Sequence, residues 1–172
     1  YAQYEEELER RGHLDFSDLL SRTVEIVSKS DKVKKFIRER MPHFLVDEFQ
    51  DVNKAQVELL LAVVRAGAVI WAVADDDQAI YGWRGGRVDY TVQFQTYFPG
   101  AAQYFLMVNY RCDPAIVAAA NTVIAHNRKR VTKALKPAKE HKSNFIVRAR
   151  TFRSDREEAE WVANVLRRML SA

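Results

Sequence analysis

Two kinds of pattern alternate along the chain. Short strand-like segments rich in apolar residues lie at residues 43–46, 68–74, 104–108 and 145–152. Between them, apolar residues recur every three to four positions, which is typical of amphipathic helices. Short apolar segments that end abruptly on polar residues are typical of strands buried in a parallel sheet. Because the strands alternate with helices, the sequence predicts an α/β fold.

Capping residues mark where several predicted helices begin. Each of four predicted helices begins with its own N-capping side chain: Asp15, Asn53, Asp113 and Ser154. Gln56 and Glu157 complete capping-box patterns at the second and fourth of them. Further helices are predicted over residues 32–40 and 90–97. Two apolar stripes are expected to be buried: Ile116, Ala119, Ala120, Val123 and Ile124 in one helix, and Ala159, Val162, Ala163, Leu166 and Met169 in the last.

Composition narrows the class of protein. Hydrophobic residues make up 48% of the 172 residues, which excludes a disordered tail. The single cysteine, Cys112, excludes a disulfide framework and a cysteine-rich zinc site. No apolar stretch approaches the roughly 18 residues of a membrane span, and no signal peptide is visible, so we expect a cytoplasmic protein without a membrane partner. The formal charge of +4 permits an anionic partner without identifying one.

Polar residues that follow the strands are the first candidates for chemistry, because ligands bind at the carboxyl ends of parallel strands. Asp47 and Glu48 follow the first strand. One carboxylate of such a pair suits a Mg²⁺ ion bound to phosphate, and the other suits deprotonation of an attacking water. The alternative is an acidic turn without function.

The second strand leads into Asp75-Asp-Asp-Gln-Ala-Ile-Tyr-Gly-Trp-Arg-Gly-Gly86. Three adjacent carboxylates repel one another, so they predict a compensating cation or N–H groups. Gln78 suits contact with a terminal phosphate or a water. Tyr81 and Trp83 suit stacking on nucleic-acid bases, with Arg84 beside them for phosphates. In the alternative interpretation, the glycine-rich loop packs its aromatic rings back on the core.

The third strand leads into Asn109-Tyr-Arg111. An arginine at a strand end suits stabilisation of a transferring phosphoryl group, and Tyr110 suits stacking on a nucleobase. The alternative is an arginine paired with an acid. Residues 128–142 are predicted to form a solvated connection. The basic run at 128–130 is interpreted as a solvated face, with a weak role at a DNA backbone as the alternative. No glycine is followed by lysine, so the chain contains no phosphate-binding P-loop.

Together these motifs resemble the UvrD/Rep/PcrA helicases of superfamily one, over nearly the whole chain. Val46-Asp-Glu-Phe-Gln-Asp51 is similar to their Walker B motif. Val73-Ala-Asp-Asp-Asp-Gln-Ala-Ile-Tyr-Gly-Trp-Arg-Gly-Gly86 is similar to the motif that couples ATP to single-stranded DNA. Leu14-Asp-Phe-Ser-Asp-Leu-Leu20 resembles the segment that re-enters the first motor domain, and Asn109-Tyr-Arg111 resembles the motif that opens the second.

The resemblance implies an ATP- and Mg²⁺-dependent DNA helicase with a three-layer αβα, RecA-like (P-loop NTPase) fold. Such an enzyme closes a cleft between its motor domains, moves along single-stranded DNA from three-prime to five-prime, and unwinds duplex junctions in repair, replication or recombination. The implied roles are Mg²⁺ coordination by Asp47, water activation by Glu48, γ-phosphate contact by Gln78 and Arg111, adenine stacking by Tyr110, and single-stranded DNA binding by Tyr81, Trp83 and Arg84.

By the same resemblance, residues 1–13 end an accessory insertion, residues 14–104 belong to the first motor domain, and residues 105–172 start the second. Because the P-loop is missing and the chain begins without methionine, we expect an internal fragment that is inactive alone. We expect the parent to be cytoplasmic and nucleoid-associated. Two alternatives stay open: the helicase part of an AddA/RecB-type helicase–nuclease, and a non-catalytic relative that binds single-stranded DNA. The non-catalytic alternative is disfavoured because the residues implied in catalysis are all intact, namely Asp47, Glu48, Gln78 and Arg111.

Overall fold

A computed structural model describes residues 1–138 and 147–171. It contains eight α-helices within those ranges: α1 Ala2–Arg11, α2 Phe16–Lys29, α3 Asp31–Arg40, α4 Lys54–Arg65, α5 Asp89–Val92, α6 Phe94–Tyr97, α7 Pro114–Ile124 and α8 Asp155–Leu170. The strands of the described residues are β1 His43–Val46, β2 Val69–Ala72, β3 Val108–Asn109 and β4 Lys136–Pro137. Three short 3₁₀ turns cover Phe49–Asp51, Asp76–Gln78 and Gly82–Arg84.

The chain forms two compact units. The first consists of Tyr1–Leu106 together with Ile124–Lys133, and the second of Met107–Val123 together with Ala134–Ala172. Each unit contains one small parallel sheet, β1 with β2 in the first and β3 with β4 in the second. The prediction of a mixed α/β fold with parallel strand pairing is therefore confirmed.

The sheet of the first unit is covered on one face. Phe44 of β1 and Ile70 of β2 lie opposite each other and pack against the buried residues of α2, α3 and α4. On the other face, Leu45 lies opposite Trp71, and Leu45 is 86% exposed. The prediction of strands buried on both faces is wrong for the described residues, because helices cover only the Phe44 side.

The core of the first unit has two parts. One joins the three helices that follow α1, through the buried residues Val27, Ile37, Ala62, Val63, Ala66 and Ala68. The other is aromatic and lies beside the ends of β1 and β2, where Phe49 is fully buried. Its ring packs edge-on against Phe94, with centroids 5.1 Å apart. Phe49 directly follows the acidic pair, so this packing holds the turn after β1 in place.

The capping predictions are confirmed in the first unit. Asp15 and Asp18 form a reciprocal capping box at α2, and Asn53 and Gln56 form another at α4. At α8 the pattern is realised in part. Ser154 accepts the N–H of Glu157, but the carboxylate of Glu157 accepts a backbone N–H from Arg153 rather than from Ser154. The predicted helix over residues 90–97 is present as two short helices, α5 and α6.

The second unit departs most from the sequence predictions. Of the predicted strand at 104–108, only Val108 is in a strand; residues 147–152 form no strand, and residues 145–146 of that prediction lie outside the described residues. Val117 is the buried residue of α7, whereas Val123 is exposed, and α8 has no buried residue. The expected buried stripes of α7 and α8 are therefore wrong here, because a sheet of two-residue strands offers too little surface to cover them.

In the described residues, no helix combines the length and apolar character needed to cross a membrane.

Candidate functional site

The acidic pair lies where β1 ends. Both Asp47 and Glu48 are exposed, and the backbone N–H of Glu48 donates to Oδ1 of Asp47 at 2.9 Å. Glu48 has φ 51° and ψ 42°, the only left-handed non-glycine backbone among the described residues. This conformation is uncommon for a side-chain-bearing residue and costs of order 1 kcal/mol or more. It turns the chain so that the two carboxylates stay at the surface while Phe49 enters the core.

Gln50 links this turn to the loop after β2. Its side chain is almost completely buried, with 2% of the residue exposed. The Nε2 group donates to Oε2 of Glu48 at 2.5 Å, and Oε1 accepts the backbone N–H of Asp75 at 3.0 Å. Gln50 was not among the predicted site residues. Its position between the core residues Phe49 and Val52 was the available signal that a polar side chain is held inside the protein.

The three consecutive carboxylates are neutralised by cations from the distant segment that follows α7. Arg130 binds Asp77 with two hydrogen bonds, of 2.8 and 2.6 Å. Lys133 lies 2.9 Å from Asp75 and 3.2 Å from Asp77, and it also contacts Asp76. The side chains of Arg130 and Lys133 are only 12% and 15% exposed.

The compensating cation predicted for the acidic triplet is thus present, whereas the prediction that residues 128–130 form a solvated face is wrong for Arg130. The prediction of a solvated connection over residues 128–142 is likewise wrong at Lys133, whose side chain is largely buried. Both side chains are withdrawn from water because each finds buried carboxylates to pair with. Lys129 does stay largely exposed, and pairs with Asp89 at 2.5 Å.

The ion pairs change the titration of these groups. The hydrogen bond from Arg130 is the main cause that lowers the pKa of Asp77 below its usual value. Burial is the largest influence on Asp75 and acts to raise its pKa. Hydrogen bonds from Gln78 and Lys133 outweigh it, so the pKa of Asp75 is lowered overall. Burial likewise opposes the charge of Lys133, but the three aspartates raise its pKa overall.

The same three aspartates have the geometry of a cation site. Oxygen atoms of Asp75, Asp76 and Asp77 lie within 4.8 Å of one another, a spacing that suits a cation. The ammonium of Lys133 contacts all three, so the chain supplies this cation itself. Asp47, the residue predicted to coordinate Mg²⁺, is not part of this oxygen cluster and offers an exposed carboxylate of the type that Mg²⁺ takes as a ligand.

The aromatic loop presents its rings to solvent. Trp83 is 79% exposed, and its ring lies 6.3 Å from that of Tyr81. The guanidinium of Arg84 stands 5.4 Å from the centre of the Trp83 ring. These positions contradict the alternative in which the rings pack back on the core. Together they make one exposed patch of stacking surface and positive charge.

The loop returns to the core at Gly86, where a side chain would be crowded by backbone. A Cβ at Gly86 would stand 3.0 Å from the carbonyl oxygen of Tyr81 and 3.2 Å from that of Asp51. The next residue, Arg87, donates its backbone N–H to the carbonyl oxygen of Val52 at 3.3 Å. The end of the aromatic loop is therefore held against the turn that follows Glu48.

The remaining predicted residues lie on exposed positions. Gln78 donates from Nε2 to Oδ2 of Asp75 at 2.7 Å. In the second unit, Tyr110 and Arg111 are exposed directly after β3, where Oδ1 of Asn109 accepts the backbone N–H of Arg111 at 3.0 Å. Among the described carboxylates none forms an ion pair with Arg111, contrary to the alternative of a paired arginine.

The first unit brings Glu48, Asp75 and Gln78 together through the side chain of Gln50.

The family model and the relatives that match this chain all describe helicases. A family model described as the UvrD/REP helicase N-terminal domain matches residues 1–99, more than half of the chain. ATP-dependent DNA helicase PcrA of Staphylococcus epidermidis is 34% identical over 162 residues, 94% of this chain and 22% of that protein. DNA helicase II of Escherichia coli is 39% identical over 135 residues, 78% of this chain and 19% of that protein. The chain therefore spans about a fifth of the length of these relatives.

Proposed function

Since the chain belongs to the UvrD/REP helicase family, we propose that it is part of the motor of an ATP-dependent DNA helicase. The observation that carries this proposal is the loop between β2 and α5. It begins at Asp75, hydrogen-bonded to Gln78 and linked to Glu48, and it continues into the exposed rings of Tyr81 and Trp83. One loop therefore joins a site suited to phosphate chemistry and a site suited to base stacking.

The proposed chemistry assigns a separate task to each side chain of the first unit. Asp47 holds Mg²⁺ on the phosphates of ATP, and Glu48 accepts a proton from the attacking water. Gln78 contacts the terminal phosphate. The ion supplies charge neutralisation of the phosphate oxygens when it is bound. For Tyr110 and Arg111 of the second unit, we keep the roles implied by the resemblance, adenine stacking and phosphate contact.

We also propose the finer features that the resemblance implies. The two units belong to RecA-like domains of three αβα layers, and the domain boundaries fall near residues 13 and 104. The parent enzyme is cytoplasmic and nucleoid-associated, translocates from three-prime to five-prime, and unwinds duplex junctions during repair, replication or recombination.

Hydrolysis of ATP by this chain alone is expected to be undetectable. Catalysis of phosphoryl transfer depends on positioning and electrostatic stabilisation, and the chain contains no glycine–lysine pair to form a phosphate-binding loop. The measurement is phosphate release by the purified chain, with and without oligothymidine. DNA-stimulated release that copurifies with the chain through two different columns would contradict the expectation.

Substitution of Trp83 by Ala in the full-length helicase is expected to weaken binding of oligothymidine roughly 5- to 150-fold. This range corresponds to the ~1–3 kcal/mol lost per stacked base. Affinity for a non-hydrolysable ATP analogue should stay unchanged, because the indole ring is exposed on the DNA side of the loop.

The matched control is Phe16→Ala, which removes a 90% exposed aromatic ring at the start of α2. Fluorescence anisotropy of a labelled oligonucleotide measures the DNA affinity of the unmodified helicase and of both variants. Equal DNA affinity of Trp83→Ala and the unmodified helicase would exclude the stacking role.

A further inference from the structure

Gln50 connects the two functional elements of the first unit, and no role was predicted for it. We propose that Gln50 is a positioning residue that fixes the carboxylate of Glu48 relative to the Asp75–Gln78 turn, and so couples hydrolysis to the aromatic loop. The inference rests on the proposed function, because it presupposes that Glu48 activates water.

The side chain of Gln50 has one hydrogen bond at each end. Its amide nitrogen donates to the carboxylate of Glu48 at 2.5 Å, and its amide oxygen accepts the N–H of Asp75 at 3.0 Å. With 2% of the residue exposed, water cannot readily replace either partner. A buried polar group left unpaired costs roughly 1–3 kcal/mol, so the two bonds hold each other in place.

An amide side chain meets both requirements. The neighbour at one end is a carboxylate, which accepts, and the neighbour at the other end is a backbone N–H, which donates. A glutamine side chain both donates and accepts, whereas an ionised glutamate only accepts. An ionised glutamate at position 50 would keep the bond to Asp75 and replace the bond to Glu48 by repulsion between two carboxylates.

The connection continues from Asp75 to the phosphate-sensing glutamine. Oδ2 of Asp75 accepts from Gln78, and Oδ1 accepts the backbone N–H of Asp77 at 3.2 Å. The ammonium of Lys133 lies 2.9 Å from Oδ1 of the same carboxylate. Movement of the Asp75 backbone therefore moves Gln78 and is transmitted to Glu48 through a single buried side chain.

The backbone supports the same connection at both ends of the loop. The N–H of Phe49 donates to the carbonyl of Val73 at 2.9 Å, just before Asp75. At the far end, Arg87 donates to Val52. The turn that carries Glu48 and Gln50 thus contacts the aromatic loop where the loop starts and where it ends, so a displacement of the bound strand at Trp83 reaches the turn.

The test is the substitution Gln50→Glu in the full-length helicase, with Gln56→Glu as its matched control. Gln56 uses only its acceptor oxygen, toward the N–H of Asn53, so glutamate satisfies that site equally well. Gln50→Met removes both hydrogen bonds without adding charge and serves if Gln50→Glu fails to fold. Thermal unfolding of each protein establishes that it is folded before kinetics are measured.

We expect Gln50→Glu and Gln50→Met to lower kcat for DNA-stimulated ATP hydrolysis roughly 10- to 100-fold, the loss that follows from misplacing a catalytic group by about 1 Å. The KM for ATP should change by less than about twofold, because binding of the nucleotide is not affected. Gln56→Glu should retain normal kcat.

The Glu48→Gln background separates the two proposals. If Gln50 acts through Glu48, Gln50→Glu should cause no further loss of kcat when Glu48 is already Gln. A further loss in that background, or a normal kcat for Gln50→Glu alone, would overturn the inference and leave the proposed function intact. If Glu48→Gln itself hydrolyses ATP normally, the role proposed for Glu48 fails, and the inference about Gln50 fails with it.

Discussion

Replacement of Glu48 by Gln in the full-length helicase is expected to slow ATP hydrolysis roughly 10²- to 10⁴-fold. This is the usual contribution of a general base, and an amide cannot accept the proton of the attacking water. The substitution keeps the side-chain length and the left-handed backbone at this position, so it tests the chemistry rather than the turn. Phosphate release at saturating ATP and oligothymidine is the measurement.

Nucleotide affinity should survive the same substitution, because Asp47 still offers its carboxylate to Mg²⁺. The matched control is Glu39→Gln on α3, an exposed carboxylate whose partner Lys35 lies 3.8 Å away. Hydrolysis by Glu39→Gln should equal that of the unmodified protein. A loss of less than about tenfold in Glu48→Gln would assign water activation to another group.

Replacement of Lys133 by Met is expected to lower the free energy of unfolding by about 3 kcal/mol. Removing one partner of a buried ion pair typically costs 3–5 kcal/mol, because it leaves an uncompensated charge inside the protein. We expect the lower end because Lys133 is 15% exposed and Arg130 still neutralises Asp77. Urea denaturation of the chain, followed by circular dichroism, measures the change.

Two further variants show whether the loss comes from buried charge. Lys129→Met also removes an ammonium that pairs with an aspartate, but Lys129 is 63% exposed, so its loss should stay below about 1 kcal/mol. Adding Asp76→Asn to Lys133→Met should restore part of the stability, because it removes one of the uncompensated charges. Equal losses for Lys133→Met and Lys129→Met would contradict the account of the acidic triplet.

The sequence allowed local features to be predicted well. Helix starts at Asp15 and Asn53 depend on side chains three residues apart, so the information lies within one turn of helix. The same holds for β1 and β2, whose apolar segments end on the acids that define the site. Trp83 is also exposed, as the prediction of a stacking ring requires.

Features that depend on distant residues were not predictable. Arg130 and Lys133 lie more than 50 positions from the aspartates they neutralise, and a basic run gives no indication of its partner. The role of Gln50 depends on where Asp75 lies in space. The amphipathic pattern of α8 predicted a buried stripe that is not found, because burial requires a surface to pack on, and the described part of the second unit provides little.

The segment Ile124–Lys133 returns to the first unit after the chain has already entered the second. A truncated protein that ended at Leu106 would therefore keep all three aspartates and lose both Arg130 and Lys133. Likewise, a single protease cut between residues 106 and 107 would leave residues 124–133 covalently attached to the second unit although they belong to the first. Dissection of this protein into separately expressed pieces thus requires grafting the ten-residue return segment onto the first piece, not choosing one cut site.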